Sequence, residues 1–173
     1  AEALAGQIVP EWTTSPDVTH GWAGLGMLHL WMATSHHSDI ALTRARKTAE
    51  RLIEQTERID TGIAWRQPPG PYPGMSGEVL TGFAHGAAGI GYFFLELWQA
   101  TGEPRYAGIA REVARWLTAA AEPALSDRSG LNWTIAWGNP ENQERWFYWC
   151  HGAAGIALFF LRAWELTGAP DYR

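Results

Sequence analysis

Cys150 is the sole cysteine of a 173-residue chain. It stands between Trp149 and His151, just before the small-residue run Gly152-Ala153-Ala154-Gly155. An apolar helical stretch, Ile156 to Leu166, follows. A thiolate at a helix entrance is favoured by the positive end of the helix dipole and can ligate a metal. The plainer reading of a lone thiol is a small buried residue. Three histidines occupy the same kind of turn: His20 before Gly21, His85 before Gly86 and His151 before Gly152, spaced 65 and 66 residues apart. Imidazole can give or take a proton near neutral pH. A residue repeated at three turns can equally be there to order the turn, and His20 is read that way. His85 is the candidate proton donor or acceptor, because it sits inside a full Gly-x-x-His-Gly-x-x-Gly. His151 adjoins Cys150 and is a candidate substrate contact, or again a turn residue. Asp17 reads as a turn or N-cap residue, or as the carboxylate that orients a histidine. Trp149 is the tryptophan singled out for substrate contact, because its neighbour is the thiol.

The elements that position these groups follow from hydrophobic periodicity. Gly21 to Ala33 is apolar on most sides, which predicts a buried helix. After Ser38 as N-cap, Asp39 to about Glu57 carries one apolar stripe, Ala41, Leu42, Ala45, Ala49, Leu52 and Ile53, against a charged outer face. Gly86 to Thr101 repeats the buried pattern and Gly102 ends it. Pro104 then opens a second amphipathic helix whose Tyr106, Ile109, Ala110, Val113, Ala114 and Leu117 face inward. Gly152 to Thr167 is the third buried helix. Gly168 to Tyr172 matches Gly102 to Tyr106, and the sequence stops where a third amphipathic helix is expected to begin. Ser15-Pro16-Asp17 predicts a turn before the first helix. Two long segments, Asp60 to Thr81 and Glu122 to Tyr148, read as loops. The first is centred on Pro68-Pro69-Gly70-Pro71 and Pro73-Gly74, and the second has a short strand or hairpin arm at Leu131 to Trp137. Loops of that length are uncommon and often functional.

One helical hairpin cannot bury its own apolar face, so such repeats must stack. The expected fold is all-α: an α/α toroid of about three hairpins, with buried helices inside, amphipathic ones outside and an incomplete ring. The whole of 1–173 is expected to be one domain, continued at its C-terminus. In that arrangement all the His-Gly turns lie at one end, beside the long loops, where a pocket is expected. The small residues at each inner-helix start are read as allowing neighbouring backbones to approach.

Composition narrows the function classes. Charged residues make up 18% and hydrophobic ones 46%, which fits a chain with a large internal surface. The net charge of −5 and the lack of a basic stripe argue against nucleic acid as a partner. No apolar run is long enough to span a bilayer. Ala1 to Glu11 lacks the features of a signal peptide. A single cysteine fits a reducing cytoplasm, and the absence of an initial Met suggests a piece of a longer protein.

The pattern Gly82-Phe83-Ala84-His85-Gly86-Ala87-Ala88-Gly89, followed downstream by Trp149-Cys150-His151-Gly152, resembles the lanthionine cyclases, the LanC-like family, including cyclase domains of fused kinase–lyase–cyclase synthetases. The resemblance runs from Asp17 to the end of the chain. It implies a zinc enzyme that adds a peptide cysteine thiol to dehydroalanine or dehydrobutyrine, forming the thioether rings of lanthipeptide antibiotics. The implied partners are a dehydrated precursor peptide and a fused or associated kinase and lyase or dehydratase. The family's first zinc ligand falls on Cys150, its catalytic histidine on His85 and its catalytic aspartate on Asp17. The family's later Cys-His ligand pair has no match here and is expected beyond residue 173. His151 stands where many stand-alone members have tyrosine and fused synthetases often have histidine. Two rival readings are a metal-free peptide-binding scaffold and an α/α-toroid glycosidase, which would need two carboxylates.

Overall fold

The computed structural model describes residues 15–59, 61–70, 74–127 and 129–172. The expectations for Ala1 to Glu11 and for Pro71 and Pro73 lie outside those residues. Five helices dominate: α1 (Trp22–His36), α2 (Asp39–Glu54), α3 (Ala87–Thr101), α4 (Pro104–Ala119) and α5 (Ala153–Thr167). A 3-10 turn follows at Pro170–Tyr172. The fold is the all-α helical-hairpin arrangement expected from the sequence. Helices α1, α3 and α5 pack side by side, α2 packs on α1, and α4 packs on α3.

The inner helices interlock by a repeated device. Phe93 of α3 lies over Gly26 of α1, where a Cβ would come within 2.6 Å of the ring. One repeat on, Phe159 of α5 lies over Gly91 of α3, at 2.8 Å. Both phenylalanines are fully buried, each contributing about 2–3 kcal/mol of transfer free energy. The outer helices present the predicted stripes, with Ala41, Ala45, Ala49 and Leu52 of α2 and Tyr106, Ala110, Val113, Ala114 and Leu117 of α4 all buried. Ser38 caps α2 by accepting the Ala41 N–H. Helix α2 stops at Glu54 rather than near Glu57, because Glu57 begins a strand.

The two long segments are more ordered than a loop reading allows. The first opens with a hairpin, β1 (Glu57–Ile59) against β2 (Gly62–Ala64). The second opens with β3 (Glu122–Pro123) against β4 (Leu131–Asn132), so the expected strand covers just the first two residues of Leu131 to Trp137. Each hairpin is followed by a buried tryptophan that donates its indole N–H to the last turn of the preceding outer helix. Trp65 bonds the Leu52 carbonyl and Trp133 the Leu117 carbonyl. The repeat therefore extends through the connections, which hang from the outer helices by equivalent pins.

Burial corrects one expectation. Helix α3, with a neighbour on each side, buries nine of its fifteen residues, whereas α1 buries five and α5 four. Leu28, Trp31, Leu158 and Leu161 are exposed. An all-round apolar pattern is thus realised as burial in the middle inner helix alone. A cleft of about 600 Å³ lies between the later halves of α1 and α3, lined by Met27, Trp31, Thr34, Tyr92, Glu96 and Gln99. It lies away from the His-Gly turns.

Candidate active site

Each His-Gly turn is built in the same way, and the glycines show why. Gly21, Gly86 and Gly152 precede their helices with φ near −130° and ψ between −163° and −170°. A Cβ there would strike a carbonyl oxygen six residues back, from Ser15, Leu80 or Trp146, at 2.1, 2.4 and 1.9 Å. Those carbonyls accept the first helical N–H groups, from Trp22, Ala87 and Ala153. A helix start leaves such donors orphaned, and here the chain's own preceding turn satisfies them. The closest approach at these glycines is therefore within each repeat, and Gly89 and Gly155 also meet Val18 and Phe83 of the preceding repeat, each at 2.7 Å.

The turns are also joined to one another. Val18 and Thr19 donate their backbone N–H groups to the Ala84 carbonyl, and Ala84 donates to the Cys150 carbonyl. A Cβ on Gly82 would lie 2.6 Å from that Cys150 oxygen and 2.7 Å from the His151 Cα. The turns thus stand in one row at the same end of the inner helices. Their histidines stack in order: His20 on His85 with ring centroids 5.2 Å apart, and His85 on His151 at 5.1 Å. Trp146 meets His151 edge-on.

Asp17 occupies in the first turn the place that Gly82 holds in the second, three residues before the histidine. Where Gly82 makes room for the next turn's backbone, Asp17 reaches the next turn's histidine. His85 Nδ1 lies 2.8 Å from Asp17 Oδ2. The other oxygen, Oδ1, accepts the His20 backbone N–H at 2.7 Å. Both readings of Asp17, local turn residue and histidine partner, are realised by its two oxygens. Its side chain is almost fully buried, and that of His85 is 12% exposed. Burial pushes the Asp17 carboxyl up, but the His85 hydrogen bond, the His20 N–H and the charges of both histidines outweigh it. The net effect holds the group below its ordinary value. An ionised carboxylate only accepts, so His85 donates from Nδ1 and keeps Nε2 free of this bond. His151 is shifted downward by burial and by the charge of His85.

Cys150 is partly buried and a free thiol. Trp149, half exposed, packs its ring against Phe83 at 5.5 Å. Among the described residues the group of three donors close enough to share a metal is Asp17, His20 and His85, and Cys150 is not in it. The hydrogen bonds of Asp17 already account for its closeness to His85. A zinc site needs three protein ligands at least, so zinc does not fit Cys150 on the described donors alone.

Sequence reading missed two residues that the structure places around the pair, Gln67 and Ser15. Gln67 is buried, donates from Nε2 to the His85 carbonyl at 2.6 Å, and accepts the Ser15 hydroxyl at 2.9 Å. No pattern marked Gln67, a polar residue in a connecting segment. Asp17, already a candidate, also stands out when the first two repeats are aligned, as the charged residue in a glycine's place.

No helix among the described residues is long and apolar enough to cross a membrane. Among curated proteins none matches the chain significantly. The family model for lanthionine synthetase C-like protein matches residues 2–173, and the chain belongs to that family.

Proposed function

We propose that this chain provides the acid–base centre of a lanthionine cyclase, acting on a dehydrated peptide. The observation that carries the reading is the 2.8 Å contact between His85 Nδ1 and the buried Asp17 carboxylate. A peptide cysteine thiol adds to the β-carbon of dehydroalanine or dehydrobutyrine. The C–S bond forms, the C=C electron pair moves toward the α-carbon and carbonyl as an enolate, and the thiol proton is released. The enolate carbon then takes a proton, so the net change is addition of S–H across the double bond. His85 Nε2 is the atom that can take and return that proton, while Asp17 holds Nδ1–H and stabilises the imidazolium. Trp149 and His151, beside Cys150, are proposed to contact the peptide.

Zinc is proposed for Cys150 in the intact protein only in combination with donors outside the residues described. Cys150→Ala is then expected to lose the metal, checked by metal analysis of the purified protein. Full zinc occupancy in the variant would remove Cys150 from the site. A second reading is a metal-free peptide-binding scaffold; among the described residues Cys150 lies outside the one donor group, Asp17, His20 and His85. The glycosidase reading would need a second carboxylate about 5–9.5 Å from Asp17.

The test is incubation of the intact protein with a dehydrated peptide, alkylation of residual thiols and mass spectrometry. Protected thiols in the product support the cyclase. Peptide binding with every thiol still alkylated, and no zinc in the protein, supports the scaffold.

A further inference from the structure

We infer that Gln67 is a positioning residue for the Asp17–His85 pair, closing a hydrogen-bond ring that fixes both backbones; its bearing on turnover rests on the acid–base reading above.

The donor and acceptor chemistry of the four groups leaves one arrangement. The His85 carbonyl can only accept, so the NH2 end of the Gln67 amide faces it, at 2.6 Å. The amide oxygen then faces the Ser15 hydroxyl, which must donate, at 2.9 Å. Ser15 Oγ in turn receives the backbone N–H of Asp17 at 3.4 Å. The ring closes where His85 Nδ1–H meets the Asp17 carboxylate at 2.8 Å. Every donor meets an acceptor, in a single sense around the ring.

The amide is presented by a braced segment. Gln67 donates its own N–H to the Glu78 carbonyl at 2.8 Å and accepts the Gly77 N–H at 3.0 Å. Arg66 pairs antiparallel with Val79 alongside. Gln67 is 6% exposed, and a buried amide is costly unless both ends are bonded, as they are here. The segment between β2 and α3 thus ties the first turn, at Ser15, to the second, at His85. That tie acts on the backbones beside the pair, so Asp17 and His85 meet without relying on their own hydrogen bond alone.

The test uses the intact protein with 15N-labelled histidine. In the parent, His85 is expected to show the Nδ1–H tautomer. Gln67→Met, which keeps the length but neither polar end, is expected to lose that signature toward the Nε2–H form that free histidine prefers. Thioether turnover is expected to fall about tenfold. A retained Nδ1–H tautomer in the variant overturns the inference, with or without a lower melting temperature. Where the parent forms thioether, a lost tautomer with parent-like turnover overturns it too. If Gln67→Met does not fold, Ser15→Ala, which removes the hydroxyl that orients the amide, is read by the same two signals. A parent that forms no thioether, yet shows the tautomer and loses it in the variant, supports the positioning role and refutes the cyclase reading.

Discussion

The first and second His-Gly turns share a backbone and differ in what they can do. Each sets a histidine before a glycine whose missing Cβ admits a carbonyl from six residues back. In the second turn the position three before the histidine is Gly82, and the neighbouring turn packs against it. In the first it is Asp17, and the carboxylate crosses to His85. His20, on the same turn as Asp17, stands 3.8 Å from it with its side chain 40% exposed. His85, one repeat away, stands at 2.8 Å and is far better shielded. Repetition builds the frame, and the buried carboxylate–histidine pair sits where the repeat is broken.

The sharpest way to break that comparison is to restore the repeat. Asp17→Gly makes the first turn a copy of the second at that position. Thioether formation is expected to fall by about 10²–10⁴-fold, the usual range for losing acid–base assistance. Loss of the bond to the His20 N–H is expected to cost about 1 kcal/mol of stability. Turnover follows by mass spectrometry and stability by denaturant titration. Parent-like turnover would mean that His85 works without its carboxylate.

The frame itself can be broken at Gly86. Gly86→Ala sets a methyl against the Leu80 carbonyl at 2.4 Å, where backbone cannot easily give way. The expected cost is about 3 kcal/mol or more, read by urea denaturation. A loss below about 1 kcal/mol would show that the close approach is not needed for the turn.

Acid titration weakens the first repeat at two groups, in two different pH windows. The Asp17 carboxyl is held below its ordinary value of 3.8. Its pairing therefore adds stability above that pH, and this is lost as pH falls through the lower folded value. The stability gap between parent and Asp17→Asn should narrow progressively as pH falls below about 4. His29, buried in the middle of α1, is shifted down by burial and by the charge of Arg44. The folded state disfavours its protonation, so stability is full above about 6.5 and declines as pH falls below it. His29→Leu should remove that decline, and an unchanged stability–pH slope between pH 5 and 7 would contradict it.

The smallest effect is at the far end of the same helices. His37 takes the left-handed conformation at φ 51°, in the place where Gly102 and Gly168 cap α3 and α5. His37→Gly should stabilise the first repeat by about 0.5–1 kcal/mol, visible as a raised melting temperature.

Much of this was legible in the sequence because repetition amplifies weak signals. The stripe of α2, the Ser38 cap, the Gly102 C-cap and the common end of the three turns all follow from periodicity and spacing. The burial of α1 and α5 did not, because an apolar residue records affinity for a neighbour and not its presence; Trp31 and Leu161 are as apolar as Phe93 and lie exposed. The first hairpin was hidden, and the second showed only as an arm at Leu131 to Trp137, because two- and three-residue strands carry too few residues for an alternating pattern. Asp17 and His85 were each visible, but their contact depends on a carboxylate crossing between repeats 65 residues apart. Gln67 was invisible, since one polar residue among prolines and glycines looks like any solvated loop.

The central claim is that His85, alone among the stacked histidines, carries the proton for ring closure. It is tested most directly by His85→Asn beside His20→Asn in the intact protein. Both are assayed for thioether formation on a dehydrated peptide by mass spectrometry after thiol alkylation, and both are melted thermally. The account predicts that His85→Asn keeps its fold and zinc content and loses correct ring closure. It predicts that His20→Asn changes melting more than turnover. Equal cyclisation by His85→Asn and the parent would contradict it.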